Sequence, residues 1–292
     1  LKYDTNHRVY QKDNITHDDN HIIINGRSIE IYSETDPSNL PWNNLDIDVV
    51  FECTGKFTSE EKAKAHITAG AKKVIISAPA KGDLKTIVYN VNDDILTGDE
   101  QIISAASCTT NCLAPVLKVL DDEFGIEKGF MTTIHAYTND QATLDIAHKK
   151  DIKERRGRAC AMNIVPTSTG AASAIGLVLP NLKGKLDGGA IRVPVSDGSL
   201  IDLTLELKNN VTVDEINKAF KDHQNETLDY TEDPIVSSDI ISSTYGATVD
   251  GLLTKIVEVE GKQLVKVIAW YDNEMGYSHQ MVRTATKLMT NN

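Results

Sequence analysis

The chain has 292 residues, a formal net charge of −12, 40% hydrophobic residues and four cysteines. Acidic residues spread along the chain argue against nucleic acid as the main partner, and no apolar run approaches the ~18 residues that span a bilayer. Four cysteines in so long a chain are no disulfide framework and fit a reducing cytoplasm; the opening LKYDTNHRVY has no apolar h-region, so no signal peptide is read there.

At ~100–200 residues per domain, two domains are expected. The N-terminal stretch reads as short strands. HIIINGRSIEIYSE has two apolar runs around Asn25-Gly26, a hairpin signal because both residues tolerate positive φ. Residues 47–55 (IDVVFECTG) read as a short buried strand. Residues 59–71 read as a helix capped by Ser59, with Glu60 and Glu61 in its first turn and Gly70 closing it. Residues 72–80, 86–92 and 101–107 read as further apolar strands. Strand, helix, strand with unbroken apolar strands predicts a parallel sheet covered on both faces, a doubly wound α/β domain.

Past residue 108 the pattern changes. A helix is expected from Thr109 to Asp122, ending near Gly125, and a strand over 129–137. Residues 138–167 form a long polar segment with a basic cluster from Lys149 to Arg158; a loop of that length in a compact domain is usually functional. Residues 199–207 (SLIDLTLEL) alternate as one-sided antiparallel strands do, and 253–271 hold two strands joined at Glu260-Gly261. In the last segment Met281, Val282, Ala285, Leu288 and Met289 fall on one helical stripe.

The chemistry begins at ISAASCTTNC, residues 103–112. Ser107 caps a helix whose first turn holds Cys108. There the free amides and the helix dipole favour an anion, so a thiolate is expected to be stabilised. The alternative is an inert core cysteine; Ser107, Thr109 and Thr110 beside it weigh against that. Cys112 reads as packing, since no CxxC partner or histidine cluster makes a metal set. Among eight histidines, His135 alone lies inside an apolar strand. It is either a base for the thiol or a core histidine held by hydrogen bonds. PTSTGAA (166–172) sets hydroxyls before a helix, as a phosphate cradle or an ordinary cap. Arg192 in GGAIRVPV needs an anionic partner, a phosphate or a buried carboxylate. ERRGR (154–158) is a basic cluster or a solvated face. Together these suit covalent chemistry on a phosphorylated carbonyl compound.

The run Ala106-Ser107-Cys108-Thr109-Thr110-Asn111-Cys112-Leu113-Ala114-Pro115 closely resembles the active-site signature of glyceraldehyde-3-phosphate dehydrogenases. TTIHAYTNDQ, PTSTGAA, LDGGAIRVPV, YTEDPIVSSDI and KVIAWYDNEMGYS resemble further segments of that family, in its order, and the resemblance runs from LKYD to the final helix. It implies a Rossmann-type domain over 1–107 with 272–292, and an α+β catalytic domain with a mainly antiparallel sheet over 108–271. It implies Cys108 as nucleophile and His135 as base, through a thiohemiacetal and a thioester that inorganic phosphate resolves. It implies substrate-phosphate contacts at Thr138 and Arg192, attacking-phosphate contacts at Ser107, Thr109, Thr169 and Gly170, and Arg156 near both. NAD would be lined by Thr54, Gly55 and Ser77, with Asn273 on the nicotinamide carboxamide and Tyr277 near the ring. The family also implies a homotetramer, glycolysis and the cytoplasm. Its long 138–167 segment packs near a neighbouring subunit's cofactor.

Three departures stand out. The family's opening strand, Gly-rich turn, helix and ribose-selecting acid do not appear in the sequence, a gap of roughly 30 residues or somewhat more. An incomplete chain is therefore expected, and the best discriminator of NAD from NADP is missing. Thr35 stands where many relatives have an arginine near the adenine. Gly157, Cys160 and Met162 depart from the commoner RRARAAAENIIP pattern. The competing expectations are an erythrose-4-phosphate or NADP-preferring dehydrogenase, or a non-catalytic binding protein; Thr138 after His135-Ala136-Tyr137 favours the triose enzyme.

Overall fold

The computed structural model describes residues 1–148, 151 and 153–290. Lys149, Lys150 and Ile152 of the long polar segment, and Asn291 and Asn292 at the end, lie outside the described residues.

The chain opens with β1 (Ile15–His17), β2 (His21–Ile24) and β3 (Arg27–Glu30), an antiparallel sheet. The β2–β3 turn places Asn25 at φ 51° and Gly26 at φ 79°, the doubly positive pair that matches the twist of a two-residue hairpin. Next come β4 (Val49–Glu52), α1 (Glu60–Thr68), β5 (Lys73–Ile76) and β6 (Ile102–Ser104). These strands form a parallel sheet in the order β4-β5-β6. Ser59 caps α1 by accepting from Lys62 N–H, as expected. β5 is central and wholly buried. β4 is an edge, and Phe51 on it is 38% exposed, so the expectation of a fully buried strand there fails at its outer side.

The expected strand at 86–92 does not form. Thr86 makes one parallel bridge to Ser104, and the chain then turns. Asn92 accounts for the difference: its Oδ1 accepts from Val88 N–H at 2.8 Å and its Nδ2 donates to Thr86 O at 2.9 Å. A side chain thus satisfies the buried backbone that a ladder would otherwise have to satisfy.

The second half begins with α2 (Cys108–Phe124), closed by Gly125 at φ 70°. Then follow β7 (Ile126–Ala136), β8 (Val165–Thr167), α3 (Ala171–Val178), β9 (Leu186–Val193), β10 (Ser199–Leu207), α4 (Val213–Asp222), β11 (Leu228–Thr231), β12 (Ala247–Asp250), β13 (Lys255–Val259), β14 (Lys262–Tyr271) and α5 (Met275–Thr290). An eight-stranded sheet runs β11-β12-β14-β10-β7-β9-β8, with β13 also on β14. Its pairs are antiparallel except β7–β9 and β11–β12. Gly188 on β9 is required where it faces β7: a Cβ would stand 2.1 Å from Met131 O. β10 alternates buried and half-buried residues, as its sequence predicts.

α2 lies against the inner face of this sheet with Leu113, Leu117 and Leu120 fully buried among α3, α4 and the strands. α5 returns to the parallel sheet. Its Ala285 and Leu288 pack with Ile75, Ile87 and Ile103, while Ala63 of α1 packs on the other side with Val50, Val74 and Ile76. The parallel sheet is therefore covered on both faces. The α5 stripe differs from expectation at Val282, which is 53% exposed; the buried side runs instead through Gln280, Thr284, Ala285 and Leu288.

Candidate active site

The site is built first from the β6–α2 corner. Ala106 there sits at φ 58°, a left-handed conformation costing about 1–2 kcal/mol in a residue with a Cβ. The surroundings hold it in place. Asn111 Nδ2 donates to Ala105 O at 2.9 Å and Ser107 O at 3.0 Å, and Ala106 N–H donates to Ser104 Oγ at 3.1 Å. Ser107 then caps α2, accepting from Thr110 N–H at 3.1 Å. The corner turns Cys108, the first helical residue, toward the eight-stranded sheet.

From that sheet β7 brings His135 and β9 brings Arg192, directly paired in register. Cys108 Sγ lies 3.5 Å from His135 Nε2, so the two residues singled out as nucleophile and base do meet. Arg192 Nη1 donates to Ala136 O at 2.9 Å and to Thr138 Oγ1 at 3.1 Å. His135 Nδ1 lies 2.8 Å from Nη1 and 2.7 Å from Ala136 O. In the tautomer that donates Nδ1–H to that carbonyl, Nε2 accepts from the thiol.

Burial, then Arg192, holds the His135 pKa down at about 4. Burial pushes the Cys108 thiol up, against Arg192, the Thr109 hydroxyl and the amides of Thr109 and Cys108, which pull it down. The helix N-terminus expected to favour a thiolate is present, and burial works against it.

A cavity of ≈ 320 Å³ opens over this pair, lined by Ser107, Thr109, Arg156, Thr169, Gly170 and Arg192 among others. Buried Arg192 Nε has no acceptor among the described residues, a cationic donor poised for an anion. Arg156 Nη2 donates to Thr167 Oγ1 at 3.0 Å, and Asp140 pairs with Nη1, so this arginine belongs to the site and not to a solvated face. Thr169 and Gly170 stand at the start of α3, where Thr169 Oγ1 accepts from Ala171 N–H at 3.2 Å. Thr138 is outside the cavity lining but bonded to Arg192. The Ser107 and Thr109 hydroxyls are already engaged, with Thr110 and with Tyr271. Cys112 is buried against Ala269 and Trp270 carbonyls, as packing requires.

Thr54, Gly55 and Ser77 do not line this cavity; they follow the carboxyl ends of β4 and β5, where open α/β sheets take ligands. Gly55, at φ 71°, has open space where a Cβ would be. Asn273 follows β14. Its Oδ1 accepts from Ser199 Oγ at 2.6 Å, which turns the amide hydrogens to other use. Tyr277, on α5, donates to Ala106 O at 3.1 Å behind the corner.

Several supporting residues escape a sequence reading. Tyr271 Oη bonds Thr109 Oγ1 at 2.9 Å and Thr133 Oγ1 at 2.8 Å, and its ring meets His135 edge-on at 5.8 Å. Ser199 joins Asn273 to Ala136 N–H. A tyrosine ending a buried strand signals a need for a hydroxyl partner; nothing local marks Thr133 or Ser199.

A thiol, an imidazole beside it and a guanidinium with an unpaired Nε suit covalent chemistry on an anionic carbonyl compound. The family model for the glyceraldehyde 3-phosphate dehydrogenase C-terminal domain matches residues 107–273, and that for the same enzymes' NAD binding domain matches residues 1–60. The glyceraldehyde-3-phosphate dehydrogenase of Clostridium pasteurianum is 62% identical over 262 residues, 90% of this chain and 78% of its own length. That of Clostridium acetobutylicum is 62% identical over 263 residues with the same shares, and that of Streptococcus pyogenes 57% over 263, covering 89% and 78%. The chain belongs to the glyceraldehyde-3-phosphate dehydrogenase family.

Proposed function

We propose that the protein oxidises D-glyceraldehyde 3-phosphate to 1,3-bisphosphoglycerate with NAD and inorganic phosphate. The observation that carries this reading is the 3.5 Å approach of Cys108 Sγ to His135 Nε2, beside the unpaired Nε of Arg192. His135 takes the thiol proton as sulfur adds to the aldehyde carbon, and returns it to the oxyanion to give the thiohemiacetal. Arg192 and Thr138 hold the substrate phosphate. As hydride leaves the carbon, His135 accepts the hydroxyl proton and a thioester remains on Cys108. NAD would supply the hydride acceptor; Asn273, Tyr277, Thr54, Gly55 and Ser77 would hold it. Phosphate held by Thr169, Gly170, Arg156 and the Ser107–Thr109 turn attacks the thioester, and sulfur leaves as thiolate.

The division into residues 1–107 with 272–292 for the dinucleotide and 108–271 for catalysis accords with α5 packing on the parallel sheet. A homotetramer is favoured by the outer face of the large sheet, where Phe130, Val257, Val259 and Leu264 are exposed. A place in glycolysis and in the cytoplasm follows from the reaction; among the described residues no helix is long and apolar enough to cross a membrane. The test is NAD reduction by the full-length protein with glyceraldehyde 3-phosphate, with and without phosphate, beside Cys108→Ser. Phosphate-dependent turnover lost in the variant is expected; turnover indifferent to either would overturn the reading.

A further inference from the structure

A second group of polar side chains lies buried below the expected cofactor edge, away from Cys108. Glu52 ends β4 and is 3% exposed. Its Oε1 accepts from Thr54 N–H at 2.8 Å and from the Thr54 hydroxyl in a short contact. Its Oε2 stands 2.9 Å from Nε2 of His66 on α1, also buried. His66 Nδ1 lies 3.1 Å from Trp42 Nε1, with Phe57 edge-on to the imidazole.

The protons in this chain are ordered by one fact: an indole N–H can only donate. His66 Nδ1 must therefore accept, its proton sits on Nε2, and Nε2–H donates to Glu52. Thr54 Oγ1 accepts from Lys56 N–H at 3.1 Å, so its own proton goes to Glu52. Every donor points toward the carboxylate, which ends the chain as an acceptor on both oxygens. The Glu52 carbonyl also receives Ser77 N–H at 3.0 Å. One residue thus anchors the Thr54–Gly55 turn through its side chain and Ser77 through its backbone.

We propose that Glu52 is a positioning residue for the dinucleotide, fixing the Thr54–Gly55 turn through the one-way chain Trp42 to His66 to Glu52. This rests on the proposed NAD site at that turn. Glu52 touches no reacting atom, so its loss acts on cofactor affinity and not on the chemical step.

The geometry gives a specific test. In Glu52→Gln the new amide N–H₂ faces either the Thr54 donors or His66 Nε2–H. Moving the imidazole proton to Nδ1 only shifts the conflict onto the indole N–H. Adding Trp42→Phe removes that donor, and because Trp42 is half-buried, water reaches Nδ1. The experiment measures NAD affinity by calorimetry, and KM and kcat, in wild type, E52Q, W42F and the double variant, with thermal midpoints as a check on folding. E52Q is expected to weaken NAD about tenfold, the equivalent of about one charge-assisted hydrogen bond, with kcat nearly unchanged. The double variant should recover most of that loss. Thr54→Val cuts the same link from its exposed end, with the thermal midpoint again checking the fold, and should weaken NAD as well. Wild-type affinity in E52Q or in T54V, or an E52Q loss that W42F deepens, would overturn the role of Glu52 while leaving the proposed reaction standing. Absence of NAD binding in wild type would overturn both.

Discussion

Replacing His135 by glutamine removes a titrating group whose pKa the fold holds down from an ordinary 6.5 to about 4. A histidine that resists protonation in the native state takes up a proton on unfolding once the pH drops below its ordinary value. The unfolded chain then binds more protons than the native one, so stability rises with pH across this window and falls as the solution is acidified. The full shift corresponds to about 3 kcal/mol, most of it accumulated by about pH 4.5. Urea unfolding of wild type and His135→Gln at about pH 7 and about pH 4.5 reports this contribution by difference. Wild type should lose about 2 to 3 kcal/mol more than the variant between the two conditions, a relative midpoint shift of about 1 M at a slope of about 3 kcal/mol per M. Equal losses in the two proteins would refute a neutral, desolvated imidazole at position 135.

Three further outcomes are expected. Arg192→Gln removes a charge that pulls the Cys108 thiol down, so alkylation of Cys108 by iodoacetamide at neutral pH should slow several-fold while KM for the phosphorylated aldehyde rises; unchanged alkylation would mean the guanidinium does not act on sulfur. Tyr271→Phe strips a partner from the Thr109 and Thr133 hydroxyls and should cost about 1–3 kcal/mol in urea unfolding; a neutral result would place water in that chain. His7 lies 3.2 Å from Asp272 and 3.3 Å from Asp197. Burial opposes its charge, but Asp272, Asp197 and Glu274 outweigh burial and raise its pKa, while burial and Asp272 push Asp197 up. A raised histidine pKa gives stability that is complete below 6.5 and lost as pH rises through the folded value, and protonation of Asp197 is lost in the same direction. Hydrogen exchange at residues 4–8 should therefore accelerate on going alkaline beyond its intrinsic rate, and His7→Gln should flatten that extra dependence.

Features that depend on a few adjacent residues were legible in the sequence. The turns at Asn25-Gly26 and Glu260-Gly261 need positive φ at both positions and have it. Ser59 and Ser107 cap the helices they precede, and β10 shows its burial by alternation. The misread positions are those where a distant partner decides. Residues 86–92 have the composition of a strand, but Asn92 satisfies their backbone and lets the chain turn. Val282 is apolar yet faces outward, since Gln280 and Thr284 are held on the buried side. In the candidate site, residue types were readable because a buried histidine or arginine in an apolar strand needs a reason. Their meeting was not, since it depends on the Ala106 corner and on the register that sets His135 beside Arg192. The burial that works against the thiolate was hidden for the same reason: desolvation is a property of the assembled cavity.

The return of α5 to the parallel sheet also orders events during synthesis. Ile75 and Ile103 emerge before any strand of the large sheet, yet the helix that packs over them follows all of those strands. Until α5 emerges, it cannot cover that face of the early sheet, whereas every strand of the later sheet and its covering α2, α3 and α4 are already present. The later sheet is thus able to consolidate first, and the early sheet depends on shielding until α5 arrives. A stop codon a few residues before Met275 would remove no strand of either principal sheet, yet would leave the early sheet permanently open.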